Sequence, residues 1–314
     1  MKKRSADKRS DLVVFGEFFS DMVFYNLPDR PRLGEEIKTD SFLIAPGGLA
    51  TTAQAANRLG TSTAIITRVG ADAASLPTWL EILRQGFDVS ACETSDSLPT
   101  ALTVCVAYNA DRMMVTHEPI HHNLEALLEK PEVQRKLRSA RHVHLACALR
   151  QPKKWLPLLK LLRSEGITVS ADFGWNPDVP AEDMSSILRH LEFVFPNEHE
   201  ARKLTGAKSA KRALEKLAEW VRVPVITLGD RGAMLLADGK LHTQPALAQT
   251  LVDATGAGDA FNGGFLHGFL KGWGWDDCLR AGNICGGMAV SAPGGSEGLP
   301  AQALFQKHLQ AMQG

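Results

Sequence analysis

The residues best placed to do chemistry in this 314-residue chain lie in one short run, Asp253-Ala254-Thr255-Gly256-Ala257-Gly258-Asp259. Leu251 and Val252 read as the end of a strand-like run, and from Ala257 the spacing predicts a helix with Asp259 in its first turn. Gly256, Ala257 and Gly258 are too small to block a ligand. A small-residue turn that opens a helix directs backbone N–H groups outward, with the positive end of the helix dipole behind them, and so makes an anion hole. Such a hole suits the charge that builds on a phosphoryl group in transfer, where catalysis is mostly positioning and electrostatics. An aspartate repels phosphate, so Asp259 makes sense there if its carboxylate faces an acceptor hydroxyl and takes its proton. The residues alone also allow a plainer reading, in which Asp259 caps the helix and the glycines only make a tight turn.

Other runs place polar groups beside turns. Asp21 lies among Phe18, Phe19, Met22 and Val23, where a buried acid needs a partner. Pro46-Gly47-Gly48 reads as a backbone break before a helix over Leu49–Gly60. Pro196-Asn197-Glu198-His199-Glu200 follows a strand and starts a helix, with Asn197 as N-cap and acids in the first turn. Thr227-Leu228-Gly229-Asp230-Arg231-Gly232 is a strand entering a Gly-rich turn, which can cradle phosphates or simply join two strands. Asp172-Phe173-Gly174-Trp175-Asn176-Pro177 ends a strand at the edge where sheets of this type bind ligands. His121-His122, His142 and His144 have no Cys or acid at ligand spacing and read as loop and strand histidines.

The elements that must position these groups follow from periodicity. Leu12–Gly16, His142–Cys147, Ile167–Phe173, Glu192–Phe195 and Val223–Leu228 are apolar runs expected as buried strands. Between them, Lys154–Ser164 and Ala210–Val221 carry helical spacing, and this alternation makes a parallel sheet with helices on both faces. Ala257–Lys271, Trp275–Ser291 and Pro300–Met312 are expected helices. Strand-like runs at Met22–Leu27, Glu36–Ile44, Thr100–Tyr108 and Arg112–Glu118, the last two joined by an Asn109-Ala110-Asp111 turn, do not fit the parallel core. They are expected to form a small β lid, on which Arg112 and His117 could reach a substrate. Residues 1–10 read as a disordered basic tail and 11–314 as a single domain, with lid strands within about 17–45 and 98–120.

Composition narrows the function classes. Acids and bases balance at 35 each, which offers no basic field for nucleic acid or a membrane surface. No stretch is long and apolar enough to span a bilayer. Five scattered cysteines without a C-x-x-C pair argue against a disulfide framework and for a reducing, cytoplasmic setting.

The run DATGAGDAF followed by Gly263, Gly264 and Phe265 resembles the C-terminal signature of the ribokinase-like carbohydrate kinases, the PfkB family. The Pro46–Ala53 segment resembles the family's N-terminal Gly-Gly signature, and Asn197 with Glu200 resembles its N-x-x-E element. The resemblance implies a three-layer α/β/α fold with a mostly parallel sheet and a β lid. It implies transfer of the γ-phosphoryl group of ATP to a hydroxyl of a sugar or sugar derivative. Asp259 would be the base, and the amides of Gly256, Ala257 and Gly258 the anion hole. Asp21, Gly47 and Gly48 would meet the sugar. Asn197 and Glu200 would organise Mg²⁺ through water. Thr227, Gly229, Gly232 and Asn283 would serve the nucleotide, and Gly294-Gly295-Ser296 would close its loops. Asp253 and Thr255 would lie near a monovalent-cation site, such as one for K⁺, in those members that have one. The chain departs from the pattern where most members carry a substrate-contacting Asn. Counting back from Leu59-Gly60 puts Thr51 there; counting forward from Gly47 puts Thr52 there. That departure leaves open a nucleoside kinase of the same family, and a silent sugar or nucleotide sensor is the reading from another class. An exposed edge on the lid makes a homodimer the expected assembly.

Overall fold

The computed structural model describes residues 10–108, 111–173 and 181–313. Most of the basic tail, the Asn109-Ala110 turn and the end of the run from Asp172, residues 174–177, lie outside the described residues. In chain order the strands are β1 (Leu12–Gly16), β2 (Phe18–Phe24), β3 (Phe42–Gly48), β4 (Thr63–Ile66), β5 (Arg68–Gly70), β6 (Glu93–Ser95), β7 (Ala101–Tyr108) and β8 (Asp111–His117). They continue with β9 (His142–Ala146), β10 (Thr168–Asp172), β11 (Phe193–Val194), β12 (Val223–Thr227), β13 (Ala233–Ala237) and β14 (Lys240–Gln244). The α-helices are α1 (Leu49–Arg58), α2 (Leu76–Arg84), α3 (Pro131–Arg138), α4 (Pro152–Ser164) and α5 (Ala181–Leu188). After them come α6 (Glu198–Thr205), α7 (Ala210–Leu217), α8 (Ala257–Leu270), α9 (Trp275–Ala289) and α10 (Gln302–Gln313).

An eight-stranded sheet runs β14-β13-β12-β11-β10-β9-β1-β4. From β4 to β12 every pairing is parallel, and β13 and β14 close one edge antiparallel. Alternate side chains of a strand face opposite layers. Val13 and Phe15 of β1 pack into one cluster with Val133, Trp155, Leu159, Ile187 and Leu214 from α3, α4, α5 and α7. Leu12 and Val14 pack into another with Ala53, Phe193, Phe261 and Phe265, under α1 and α8. Both faces are covered, which is why the LVVFG run is apolar without alternation. The carboxyl ends of β1, β9, β10 and β12 then deliver Gly16, Ala146, Asp172 and Thr227 to the same edge of the sheet.

A separate four-stranded sheet, β3-β2-β7-β8, is the small sheet expected from the early hairpins. Two expected boundaries are corrected. The first strand is Phe18–Phe24, because the chain turns at Asn26, which holds a left-handed φ of 53°. The second starts at Phe42, opposite Phe24, so the charged stretch 36–41 has no strand to pair with. Pro46-Gly47-Gly48 is therefore no break: it ends β3, opposite Ser20, Phe19 and Phe18. Proline is tolerated there because β3 is an edge strand. The strand expected before Asp253 is also absent. Leu251 and Val252 are exposed, and the amides of Val252 and Asp253 bond to the Val290 carbonyl after α9.

Helix α8 sits between α1 and α9, and two adjacent glycines allow the close approach. A Cβ on Gly263 would lie 2.5 Å from the Thr52 carbonyl oxygen and 2.6 Å from Ala55 Cβ. One on Gly264 would lie 2.8 Å from Cys285 Sγ. Gly263→Val should therefore destabilise the fold by about 1–3 kcal/mol or more through overpacking, read as a lower denaturant midpoint. An unchanged midpoint would show that α8 can move without cost.

Candidate active site

Gly256 caps α8 in the left-handed conformation, φ 69°, and this aims the first amides of the helix across the turn. Its neighbours crowd any side chain: a Cβ would meet Gly295 Cα at 3.2 Å and Thr51 Cγ2 at 3.3 Å. Gly258 is different, because a Cβ there would meet nothing within 4 Å. Packing does not demand that glycine; the open space belongs to a cavity. The turn before the helix is tied by Asp253, buried at 4% exposure. Its Oδ1 accepts from the Thr255 amide (2.9 Å) and hydroxyl (2.7 Å), and its Oδ2 accepts from the Gly294 amide (3.0 Å).

Two cavities meet at Asp259. One, of about 350 Å³, is lined by Asp172, Asn197, Glu200, Thr227, Asn262 and the Gly256–Asp259 turn. The other, of about 440 Å³, lies under the small sheet and is lined by Asp21, Thr51, Thr103, Thr116, Glu118 and Gly294–Gly295. Phe19, Gly48, Arg112, Gly256 and Asp259 line both. The Gly256–Asp259 turn thus lies where the two chambers meet, and Asp259 reaches both.

The electrostatics centre on the carboxylates. Asp259 keeps some surface open to the cavities, yet protein surrounds it on the remaining sides. This desolvation, followed by the charges of Asp172, Asp21 and Glu200, holds its pKa well above the usual carboxylate range. Asp21, 7% exposed, is pushed up to about 7 by burial, against a hydrogen bond from Thr103 that lowers it; the charge of Asp253 raises it further. Asp172, Asn197, Glu200 and Asp259 line this one chamber without Asp172, Glu200 and Asp259 clustering at ligand distance among the described residues, which fits a magnesium ion held through its waters.

The other expected residues separate. Asn197 and Glu200 form a reciprocal capping box on α6, with Asn197 Oδ1 accepting from the Glu200 amide (3.0 Å) and Glu200 Oε2 from the Asn197 amide (2.9 Å). Both still line the first cavity, so the cap and the site coincide. Thr51 lines the second cavity, whereas Thr52, expected as its alternative at the substrate, is turned inward and donates to the Asp259 carbonyl (3.0 Å). Gly48 lines both cavities. Gly47 gives space to Asp21, whose carboxylate would collide with a Cβ there. Thr227 lines the first cavity, while Gly229 (φ 64°) and Gly232 (φ 93°) shape the turn behind it. Asn283 is 5% exposed, and its amide is spent on the Gln244 and Pro245 carbonyls; it holds the segment after β14 rather than lining either cavity.

Three features escaped the sequence reading. Asn262 donates to Asp172 Oδ2 (2.7 Å), and its position three residues after Asp259 on one helix face was a usable signal. Arg150 pairs with Glu17 and with Glu118 (2.9 Å), joining the start of β2 to the end of β8 across 133 and 32 residues of chain. His121 does have acids beside it in space: its ligand atoms lie within 4.8 Å of those of Glu17 and Glu118. Arg150 pairs with both of these acids, and burial, with Arg150 next, pushes His121 down to about 3. His142 and His144 share Ser170, each at hydrogen-bond distance (2.7 and 2.8 Å), inside the sheet core.

Asp21 has a pH consequence. Its folded pKa of about 7 exceeds the ordinary 3.8, so the folded state holds the proton more tightly. The cost of burying the charge grows as pH rises from about 4 to about 7 and is constant above. Asp21→Asn should therefore stabilise the free protein at pH 8 by roughly 1–4 kcal/mol and much less at pH 4. Equal effects at the two pH values in chemical denaturation would contradict the assignment.

A family model for pfkB family carbohydrate kinases matches residues 9–302. The chain is 31% identical over 284 residues to a cytidine kinase of Thermococcus kodakarensis, covering 87% of this chain and 93% of that one. It is 27% identical over 302 residues to a ribokinase of Haemophilus influenzae, covering 93% and 96%. Its fold matches that of the Arabidopsis thaliana ribokinase solved with ribose and ATP, with a TM-score of 0.80 at 22% identity over 96% of this chain and 99% of that one. The layered sheet, the small sheet above it and the cavities meeting at Asp259 are accordingly those of a member of the pfkB family of carbohydrate kinases.

Proposed function

We propose that this kinase transfers the γ-phosphoryl group of ATP to a hydroxyl of a sugar or sugar derivative, with Asp259 as general base. The observation that carries the reading is that Asp259 lines both cavities, one beside the anion-hole turn and the other under the small sheet. The acceptor would enter the second cavity, oriented by Asp21, Thr51 and the Gly48 backbone. The triphosphate would lie in the first, against the Gly256–Gly258 amides and near Thr227. Asp259 would take the hydroxyl proton as the bond to phosphorus forms, and its raised pKa makes its ionised form a stronger base than an ordinary carboxylate. Magnesium, when bound, would supply positive charge to the phosphate oxygens, and Asp172, Asn197 and Glu200 are the residues that would hold it and its waters. A monovalent cation would find Asp253 and the Ser296 hydroxyl, which is buried and without a partner among the described residues, in the loop that also holds Gly294. Small-sheet edges β3 and β8 expose Phe42, Met113, Met114 and Val115, which supports pairing of two such sheets in a homodimer.

A nucleoside acceptor is the second reading. It is favoured by the identity to a cytidine kinase and by Thr51 at the position where a substrate-contacting Asn was expected. Adenosine diphosphate release across ketoses, aldoses, sugar acids and nucleosides decides between them: turnover only with nucleosides would replace the sugar reading, and no turnover with any would overturn both. Glu200→Gln keeps the cap geometry but removes a charge from the metal chamber. It should raise the magnesium needed for half-maximal rate roughly tenfold or more; an unchanged magnesium curve would remove Glu200 from the metal's shell.

A further inference from the structure

A third cavity, of about 220 Å³, lies at the opposite end of the central sheet from Asp259. It is formed where β10, β11 and β12 begin and where α4 and α5 end, and its lining includes Arg163, Arg189, Arg222, His190, Thr168 and Glu192. Three arginines, all exposed to solvent, and one acidic residue therefore line this space. Arginine beside a helix C-terminus complements the dipole, which accounts for Arg163 and Arg189 singly. It does not account for Arg222, which precedes a strand, or for the convergence of all three.

Two of the arginines are held across elements. Arg163 donates to the Arg189 carbonyl (3.0 Å), joining the ends of α4 and α5. Arg222 sits 3.5 Å from Glu192, joining the starts of β12 and β11. His190 adds a ring Nδ1 that is buried and has no hydrogen-bond partner among the described residues. Burial, then the nearby positive charges of Arg163 and Lys160, push its pKa down. Guanidinium forks match phosphate oxygens bidentately, and those of Arg163 and Arg222 are each held by one contact. The volume is below the roughly 300–1,000 Å³ of a drug-sized ligand site, which favours a compact anion over a nucleotide.

We infer that this basic cavity is a second binding site, for a phosphate or pyrophosphate group, separate from the catalytic chambers. The group can belong to a free anion or to the phosphate end of a larger metabolite. Nothing in the inference depends on which acceptor the enzyme phosphorylates.

The test follows the His190 ring resonances of the full-length protein by NMR at low ionic strength. Inorganic phosphate, pyrophosphate and a phosphorylated sugar are titrated in turn. A bound anion favours the protonated ring, so the apparent pKa of His190 should rise saturably. Arg163→Ala with Arg189→Ala should weaken this binding roughly tenfold or more for each guanidinium removed, without changing turnover at saturating substrates. Arg222→Gln gives the same readout if the double variant fails to fold. Tighter binding of the phosphorylated sugar assigns the site to a phosphomonoester, and tighter binding of the inorganic anions assigns it to those; either supports the site. No saturable change at His190, an equal change with chloride at matched ionic strength, or undiminished affinity in the arginine variants would overturn it.

Discussion

A carboxylate placed at the mouth of a helix, with protein on most sides and other acids nearby, is electrostatically costly unless positive charge offsets it. In this kinase Asp259 is that group, and the packing around it can be traced to holding it there. Gly256 turns the chain so that α8 begins beneath the cavity, and Thr52 pins the Asp259 carbonyl. Gly263 and Gly264 let α1 and α9 grip the helix from two sides. The helix N-terminus supplies partial positive charge, and the ends of the parallel strands bring Asp172, Asn197 and Thr227 into the same chamber.

The small sheet supplies the second chamber. Asp21 on β2 fits only because Gly47 on β3, opposite Phe19, lacks a side chain. Arg112 on β8 reaches both chambers. The pairing of Arg150 with Glu17 and Glu118 ties this sheet to the loop after β9, so the position of the sheet over the site is set partly by charge and not only by apolar contact.

What could be read from the chain was local. The DATGAGD turn, the capping box at Asn197 and the strand–helix alternation each depend on residues close in sequence, and each has its expected form. What could not be read depended on pairing across space. Pro46-Gly47-Gly48 looked like a break because nothing local shows that β2 will pair with it. Thr51 and Thr52 differ only in which side of α1 faces the cavity, and their contacts with the turns at Gly256 and Asp259 decide it. The family resemblance places Asn283 on the nucleotide side, and only the pairing across space shows that its amide also serves two backbone carbonyls. The acids around His121 lie 104 and three residues away, so no ligand spacing could reveal both.

The most direct test of the role given to Asp259 is the single-turnover rate of phosphoryl transfer by Asp259→Asn, measured with an acceptor the wild type uses. The substitution removes the base while keeping the side-chain shape. The rate should fall by roughly 10²–10⁴-fold, with nucleotide affinity and fold retained. A rate close to that of the wild type would contradict the account, because the aspartate shared by the two cavities would then not be the group that takes the proton.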